Sequence, residues 1–354
     1  MLPIFTMVLL ALNGHPIDRS QPQPPPIVSV FCYHHVQPRP DNYIALTPRL
    51  FEAQLQRLQR EHIPTLAAPE IPAWLANPRN RGKRAACLTF DDGNITIRTR
   101  AWPLLRRYGA TATLFIHPGG IGTKGKMTWA QLGEMARAGV DIQCHGMTHE
   151  SLLRGPRETD RAFAARMERE LGVAKRRLEH FTGRTVTAFA FPFGWHEAAH
   201  LPLLRRLGYT TAFTVNEGVN GPGTNPMLLR RQSVFRRDDE ASLAAKLHGW
   251  PAEPTATSPR NLGVVGPGPV TLEALLDRPC SAMWLDFKPV RHVGLAPGGC
   301  RSGPYDLRPG FHVVAVRTGS GMDPTLTSWS FLSGPGSKRW AHPGRAWVRR
   351  PGGP

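Results

Sequence analysis

Two short stretches decide how this chain reads: Thr89-Phe90-Asp91-Asp92-Gly93 and His145-Gly146-Met147-Thr148-His149. Each follows an apolar run suited to a buried strand, Ala85 to Leu88 before the first and Val140 to Gln143 before the second. Asp-Asp-Gly after a strand is also what an ordinary turn looks like, and histidines four apart often sit on a helix surface. Here both pairs stand where strands end. In folds of alternating strands and helices, the loops at the carboxyl ends of strands build the active site. Two Asp and two His placed this way can give a metal three ligands and leave one carboxylate over as a base. A third stretch behaves alike. Thr187-Ala188-Phe189-Ala190-Phe191 suits a strand, and it runs into Pro192-Phe193-Gly194, a rigid turn able to aim a backbone N–H into a site.

Outward from these stretches, strand and helix signals alternate from Ile27 to about Trp250. Strands are expected at Ile27 to Phe31, Thr111 to Ile116, Thr210 to Val215 and Leu228 to Val234. Helices are expected at Pro48 to Arg60, Ile95 to Tyr108 (with Pro103 as a kink), Trp129 to Arg137, Glu158 to Phe181, Leu201 to Leu207 and Asp239 to Leu247. Repeating βα units predict a parallel sheet, closed or nearly so. After His248 the composition shifts. Pro251 to Pro259 reads as a linker, and Ala282 to Phe287, Phe311 to Arg317 and Thr327 to Phe331 alternate with Gly and Pro turns, the pattern of a small β-sandwich. The expected organisation is a signal segment and Pro-rich linker over 1–26, an α/β domain over 27–250, a β-rich accessory domain over 251–333 and a basic tail over 334–354.

The chain has 354 residues, enough for one large and one small domain, with 41% hydrophobic residues. Lys and Arg number 44 against 26 acids, a net charge of +18. A codon bias toward Arg, Gly, Pro and Ala accounts for most of that excess; attraction to an anionic envelope surface is the functional alternative. No nucleic-acid module accompanies the charge, so nucleic acid is not an expected partner. Met1 to Leu12 has the length of an export signal's apolar core but lacks a basic start, and it is too short to span a bilayer. Export to the periplasm, envelope or medium is therefore expected. Of five Cys, Cys32, Cys87 and Cys144 fall in strand candidates and read as small buried hydrophobes. Cys280 and Cys300 could pair in an oxidising compartment, which spacing alone does not decide.

Taken together, these motifs resemble the NodB-homology polysaccharide deacetylases, carbohydrate esterase family 4. The family's first motif, T-F-D-D-G, stands unchanged at Thr89 to Gly93. Its second, H-S/T-x-x-H, is matched at His145 to His149 except that Gly146 replaces the hydroxyl residue. Its third is read in Phe189 to Gly194. Tyr33-His34-His35-Val36, Ala110 to Phe115 and Met127-Thr128-Trp129 resemble the branch acting on poly-N-acetylglucosamine. The resemblance spans residues 27–250 and implies a distorted (β/α) barrel. It implies Asp92, His145 and His149 as ligands of a divalent metal, Zn²⁺ first, with Co²⁺ or Ni²⁺ as alternatives. It implies Asp91 as the base, the Phe193 N–H as oxyanion donor, and Pro192, Gly194, Trp129 and Arg231 as substrate-binding residues.

The implied chemistry is removal of N-acetyl groups from an N-acetylglucosamine polysaccharide. Such cleavage also needs an acid for the departing amine. The family uses a His in a late Leu-x-His motif; Leu247-His248 lacks the spacer, so His248 is a poor match, and His196 is the other candidate. Arg230 or Arg231 is expected to orient Asp91. Gly146 should loosen the metal loop and weaken metal affinity. The competing readings are a non-catalytic glycan-binding or matrix protein with a vestigial metal site, and an O-acetyl esterase or chitin-type deacetylase.

Overall fold

The structure is a computed structural model that describes residues 23–333 apart from 156, 250, 252–255, 262, 266–267, 287, 297, 309 and 319–324. The expected signal segment, except 23–26, and the expected tail lie outside the described residues. Seven parallel strands form one sheet, in the order Thr211–Phe213, Ala188–Ala190, Asp141–Cys144, Ala112–Ile116, Arg84–Asp91, Ile27–Tyr33 and Gln232–Ser233. The sheet curls until its edges meet: Leu229 bridges Phe213 on one side, while Gln232 pairs with Phe31 on the other. The distorted barrel expected from the βα repeats is therefore present, and its last strand, expected over Leu228 to Val234, is only two residues long.

The barrel's inward face changes character along each strand. Alternate residues share a face. Val28 and Val30, Ala85 and Cys87, Phe115, Ala188 and Ala190, Phe213 and Leu229 fill the lower interior with hydrocarbon, together with Ile71 and Leu75. Two residues further along the same faces stand Cys32, Thr89, His117 and Arg231, and then His34 and Asp91. The apolar floor makes the barrel a packed core, and the polar rim collects at the carboxyl ends of the strands. A second apolar cluster packs the sheet's outer face against the helices, with Phe51, Leu55, Leu132, Phe163, Leu171 and Leu178 among its members.

Helices Pro48–Arg60 and Trp129–Arg137 have the expected bounds. Each is capped by a threonine that accepts a backbone N–H, Thr47 from Leu50 and Thr128 from Gln131. Two expected helices are interrupted by π-helical turns. Ile97–Ala101 precedes Trp102–Arg107, which puts Pro103 in a first turn, where its missing N–H costs little. The long charged helix contains a π-turn over Glu168–Val173, between Asp160–Met167 and Ala174–Thr182.

Beyond the barrel, a four-stranded and a five-stranded sheet face one another across Leu272, Met283, Val314, Val316, Trp329 and Phe331. The small β-sandwich is as expected, except that the end of the expected linker is itself a strand, Ala256–Ser258, paired antiparallel with Val270–Leu275. Cys280 and Cys300 form a disulfide with Cα atoms 5.7 Å apart. No described helix is long and apolar enough to cross a membrane.

Candidate active site

Asp91 closes the strand Arg84–Asp91, and Asp92 begins the turn after it. The strand thus runs further than expected, through Thr89 and Phe90, and this fixes Asp91 rigidly on the inward face. Its Oδ1 accepts from Arg231 Nη1 at 2.8 Å, and Arg231 also donates from Nε to Thr214 O at 2.9 Å. Arg231 is 1% exposed and Asp91 2%. Burial raises the Asp91 carboxyl pKa, but the Arg231 guanidinium, with His145 and His34 beside it, more than offsets this and holds the group below the usual carboxylate range. Asp91 is therefore ionised near neutrality, as a proton acceptor must be.

Asp92 has φ 71° and Oδ1 that is buried without a well-formed hydrogen bond. That oxygen lies 3.2 Å from His149 Nε2 and 3.7 Å from His145 Nε2. Around a tetrahedral zinc with bonds of about 2.0–2.1 Å, neighbouring N and O ligands stand about 3.4 Å apart. The two observed separations bracket that value, and one ligand atom from each of Asp92, His145 and His149 lies within 4.8 Å of the others. The donor set thus fits a divalent metal such as zinc. His145 Nδ1 meets Ala190 O at 2.7 Å, which orients the ring and leaves Nε2 toward the two Asp. Burial pushes His145 down to about 3, so it is neutral, the form that ligates.

The loop that carries both histidines is tied from behind. Buried Glu170 accepts from Met147 N at 2.9 Å and Thr148 N at 3.0 Å through Oε2, and from Thr148 Oγ1 at 3.0 Å through Oε1. This corrects the expectation of a loose loop at Gly146: its order comes from a carboxylate on the π-turn and the Thr148 hydroxyl. Gly146 itself has φ +79°, and a Cβ there would meet Glu170 Oε2 at 3.4 Å. A glycine suits that position better than the hydroxyl residue it replaces.

Phe193 also lies in the left-handed region, at φ 59°, with its ring 4.7 Å from His149. A Cβ on Gly194 would fall 2.3 Å from Val215, so only glycine lets this turn approach the segment that follows the strand Thr211–Phe213. Asp92, His149 and Phe193 are three of the five non-glycine residues with positive φ among the described residues. Such strain collects where a site constrains the backbone.

Several expected assignments fail. His248 ends a helix at the far end of the barrel, where Arg84, the first residue of its strand, donates to Leu247 O and Gly249 O at 3.2 and 2.8 Å. There His248 Nε2 pairs with Glu61 at 2.8 Å, so it is not the acid. His196 is buried, with Nδ1 at 2.7 Å from Gly194 O and Nε2 at 3.4 Å from Ser330 Oγ. Both nitrogens face structural partners, and burial holds the ring down to about 4. Trp129, expected to bind substrate, instead stacks on Phe181 at 4.3 Å with Arg177 over its ring. Arg231 is buried behind Asp91, so it positions that carboxylate rather than touching substrate. Arg230, the other candidate for that task, donates instead to Ser328 O of the β-sandwich.

Two residues that the motifs had not singled out as site residues do stand here. A ring nitrogen of His34, just beyond Ile27–Tyr33, lies within 4.8 Å of an Asp91 carboxylate oxygen. His117, just beyond Ala112–Ile116, packs 5.3 Å from the His149 ring. The signal that could have found both was already in use: a polar residue directly after an apolar strand. The same seam that holds His196 brings Phe311 within 6.4 Å of Trp195, beside Leu153 and Leu332. The sandwich thus braces the turn that carries Phe193.

Residues 78–212 match the polysaccharide deacetylase family. The chain carries a polysaccharide deacetylase domain. It is 24% identical to the Bacillus subtilis protein YxkH, named for polysaccharide deacetylation, over 59% of this chain and 72% of that one. It is 23% identical to the poly-β-1,6-N-acetyl-D-glucosamine N-deacetylase of Staphylococcus aureus, over 63% of this chain and 77% of that one. Among solved structures, the deacetylase PplD of Streptococcus pyogenes in complex with acetate superposes with a TM-score of 0.57 at 25% identity, covering 63% of this chain and 99% of that one.

Proposed function

We propose that this chain is a metal-dependent hydrolase that removes N-acetyl groups from a polysaccharide containing N-acetylglucosamine. The carrying observation is the convergence of Asp92, His145 and His149 beside an ionised Asp91 held by Arg231. A divalent ion held by those three residues would polarise and acidify a water near neutral pH. Asp91 takes the proton from the attacking water through Oδ2, which accepts only the weak thiol hydrogen bond of Cys32 at 3.5 Å, since Oδ1 is engaged by Arg231. The acetamide carbonyl carbon gains the new C–O bond, and the Phe193 N–H donates to the developing oxyanion, a contribution of about 3 kcal/mol. His34 delivers a proton to the amide nitrogen as the C–N bond breaks, leaving acetate and a free amine.

The S. aureus relative's name supports the substrate class. The Cys280–Cys300 disulfide supports export to the cell envelope or beyond, because such bonds persist in oxidising compartments. The test is acetate release from poly-N-acetylglucosamine, with hexa-acetyl chitin oligomers and an O-acetylated glycan as comparators. Release that needs added Zn²⁺ or Co²⁺, stops with chelator and fails in Asp91→Asn is the expected result. Equal release by the Asn variant would remove Asp91 from its role, and glycan binding without any release would make the protein a binding module.

A further inference from the structure

The mouth holds a second set of ligand atoms beside the first. Cys87 and Cys144 lie among hydrocarbon side chains, whereas Cys32 belongs to none of the apolar clusters. Its Sγ points at Asp91 Oδ2, 3.5 Å away. Cys32 and His34 sit two apart, on the inward side of the first strand and just past its end, and Asp91 follows Phe90, the partner of Tyr33. One atom each from Cys32, His34 and Asp91 lies within 4.8 Å of the others. For a tetrahedral ion with bonds of about 2.3 Å to sulfur and about 2.1 Å to oxygen, the S···O separation is about 3.6 Å. The observed 3.5 Å fits it. His34 Nδ1 is buried with no hydrogen-bond partner, so the set also offers an unsatisfied donor atom.

We propose that Cys32, His34 and Asp91 form a second metal site that takes thiophilic divalent ions, cadmium or excess zinc, and that its occupation shuts the hydrolytic site. On binding, the Cys32 S–H bond breaks, its proton goes to solvent and the sulfur lone pair goes to the ion; nothing is oxidised or reduced. The thiolate makes this set softer than the Asp92–His145–His149 set, which holds only nitrogen and oxygen donors. The Arg231 guanidinium, bonded to Asp91, opposes a second cation, so this site fills after the first. Its inhibitory effect rests on the proposed roles of Asp91 and His34, both of which it would occupy.

The test is a cadmium titration of the full chain, followed by metal content and by the ultraviolet sulfur-to-cadmium charge-transfer band. Two ions per chain and a band that grows with the second are expected. Cys32→Ser should hold one ion and lack the band, while Cys87→Ala keeps both. Zinc inhibition of acetate release, scaled to each protein's own activity with one ion, should need at least roughly tenfold more zinc in Cys32→Ser. A band that survives Cys32→Ser, or one ion and no band in the unaltered chain, overturns the site. If the serine variant does not fold, X-ray absorption at the cadmium edge of the unaltered chain decides it: one sulfur neighbour supports the site and none refutes it. Two bound ions with a Cys32-dependent band and no inhibition would leave the site standing and remove Asp91 and His34 from their proposed roles.

Discussion

The barrel mouth and the seam against the β-sandwich both bury histidines, yet they treat them differently. At the mouth, His145 uses one ring nitrogen on a backbone carbonyl and aims the other at two carboxylates. At the seam, His196 sits between Gly194 O and Ser330 Oγ, with both nitrogens engaged. His312 in the sandwich is likewise held, by Asp286, Arg308 O and Ser333. Burial and a His are thus poor guides to chemistry. Unsatisfied buried polar atoms occur in the sandwich too, on Thr327 and Trp329; at the mouth they are of the kinds that ligate a metal, Asp92 Oδ1, His34 Nδ1 and His117 Nδ1. Folding alone does not favour such atoms, since an unsatisfied buried polar group costs about 1–3 kcal/mol.

The comparison can be broken at several points. The largest effect is expected from Asp91→Asn, which should lower acetate release about 10²–10⁴-fold while the chain stays folded, read by steady-state kinetics and circular dichroism. Arg231→Met should come next. It strands a buried carboxylate, and denaturant unfolding should report a loss of about 3–5 kcal/mol together with lost activity. Retained stability in that variant would mean that Asp91 takes up a proton or reaches water. Glu170→Gln should loosen the ligand loop and weaken zinc binding roughly 10–100-fold in a chelator competition, with unfolding changed less than in Arg231→Met.

At the seam the effects should be small. Ser330→Ala removes one long hydrogen bond to His196 and should cost about 0.5–1.5 kcal/mol, leaving zinc affinity unchanged. A drop in zinc affinity there would show that the sandwich tunes the mouth as well as bracing the Phe193 turn. The smallest effect concerns pH. Burial opposes a charge on His312, but Asp286 outweighs it and raises the imidazole above its ordinary value. The contribution of this pair is complete below the ordinary histidine value and fades as pH rises through the raised one. Unfolding midpoints of unaltered protein and Asp286→Asn should therefore converge on the alkaline side of that window.

The convergence of Asp91, Asp92, His145 and His149 was legible because strand, turn and residue type agree at Thr89 to Gly93 and at His145 to His149. Local sequence fixes where a strand ends, and the residue after it falls at the mouth. The proposed acid, His34, was not legible, because a family spacing led toward Leu247-His248 while the fold sends that helix end to the opposite end of the barrel. Glu170 was hidden for another reason. It reads as one more charge on a long helix, and only the π-turn and the packing of that helix bring its carboxylate under the Met147 and Thr148 amides.

By itself, the sequence determined the alternation of buried strands and helices, the two turns that carry the Asp pair and the His pair, and the change to short β-strands after His248. These follow from the period of apolar residues and from turn chemistry, which act over a few residues. The tertiary structure alone decided which polar side chains meet. Cys32, His34, Asp91 and Arg231 come together because parallel strands pair across long stretches of sequence, and no local rule records which inward positions share one rim.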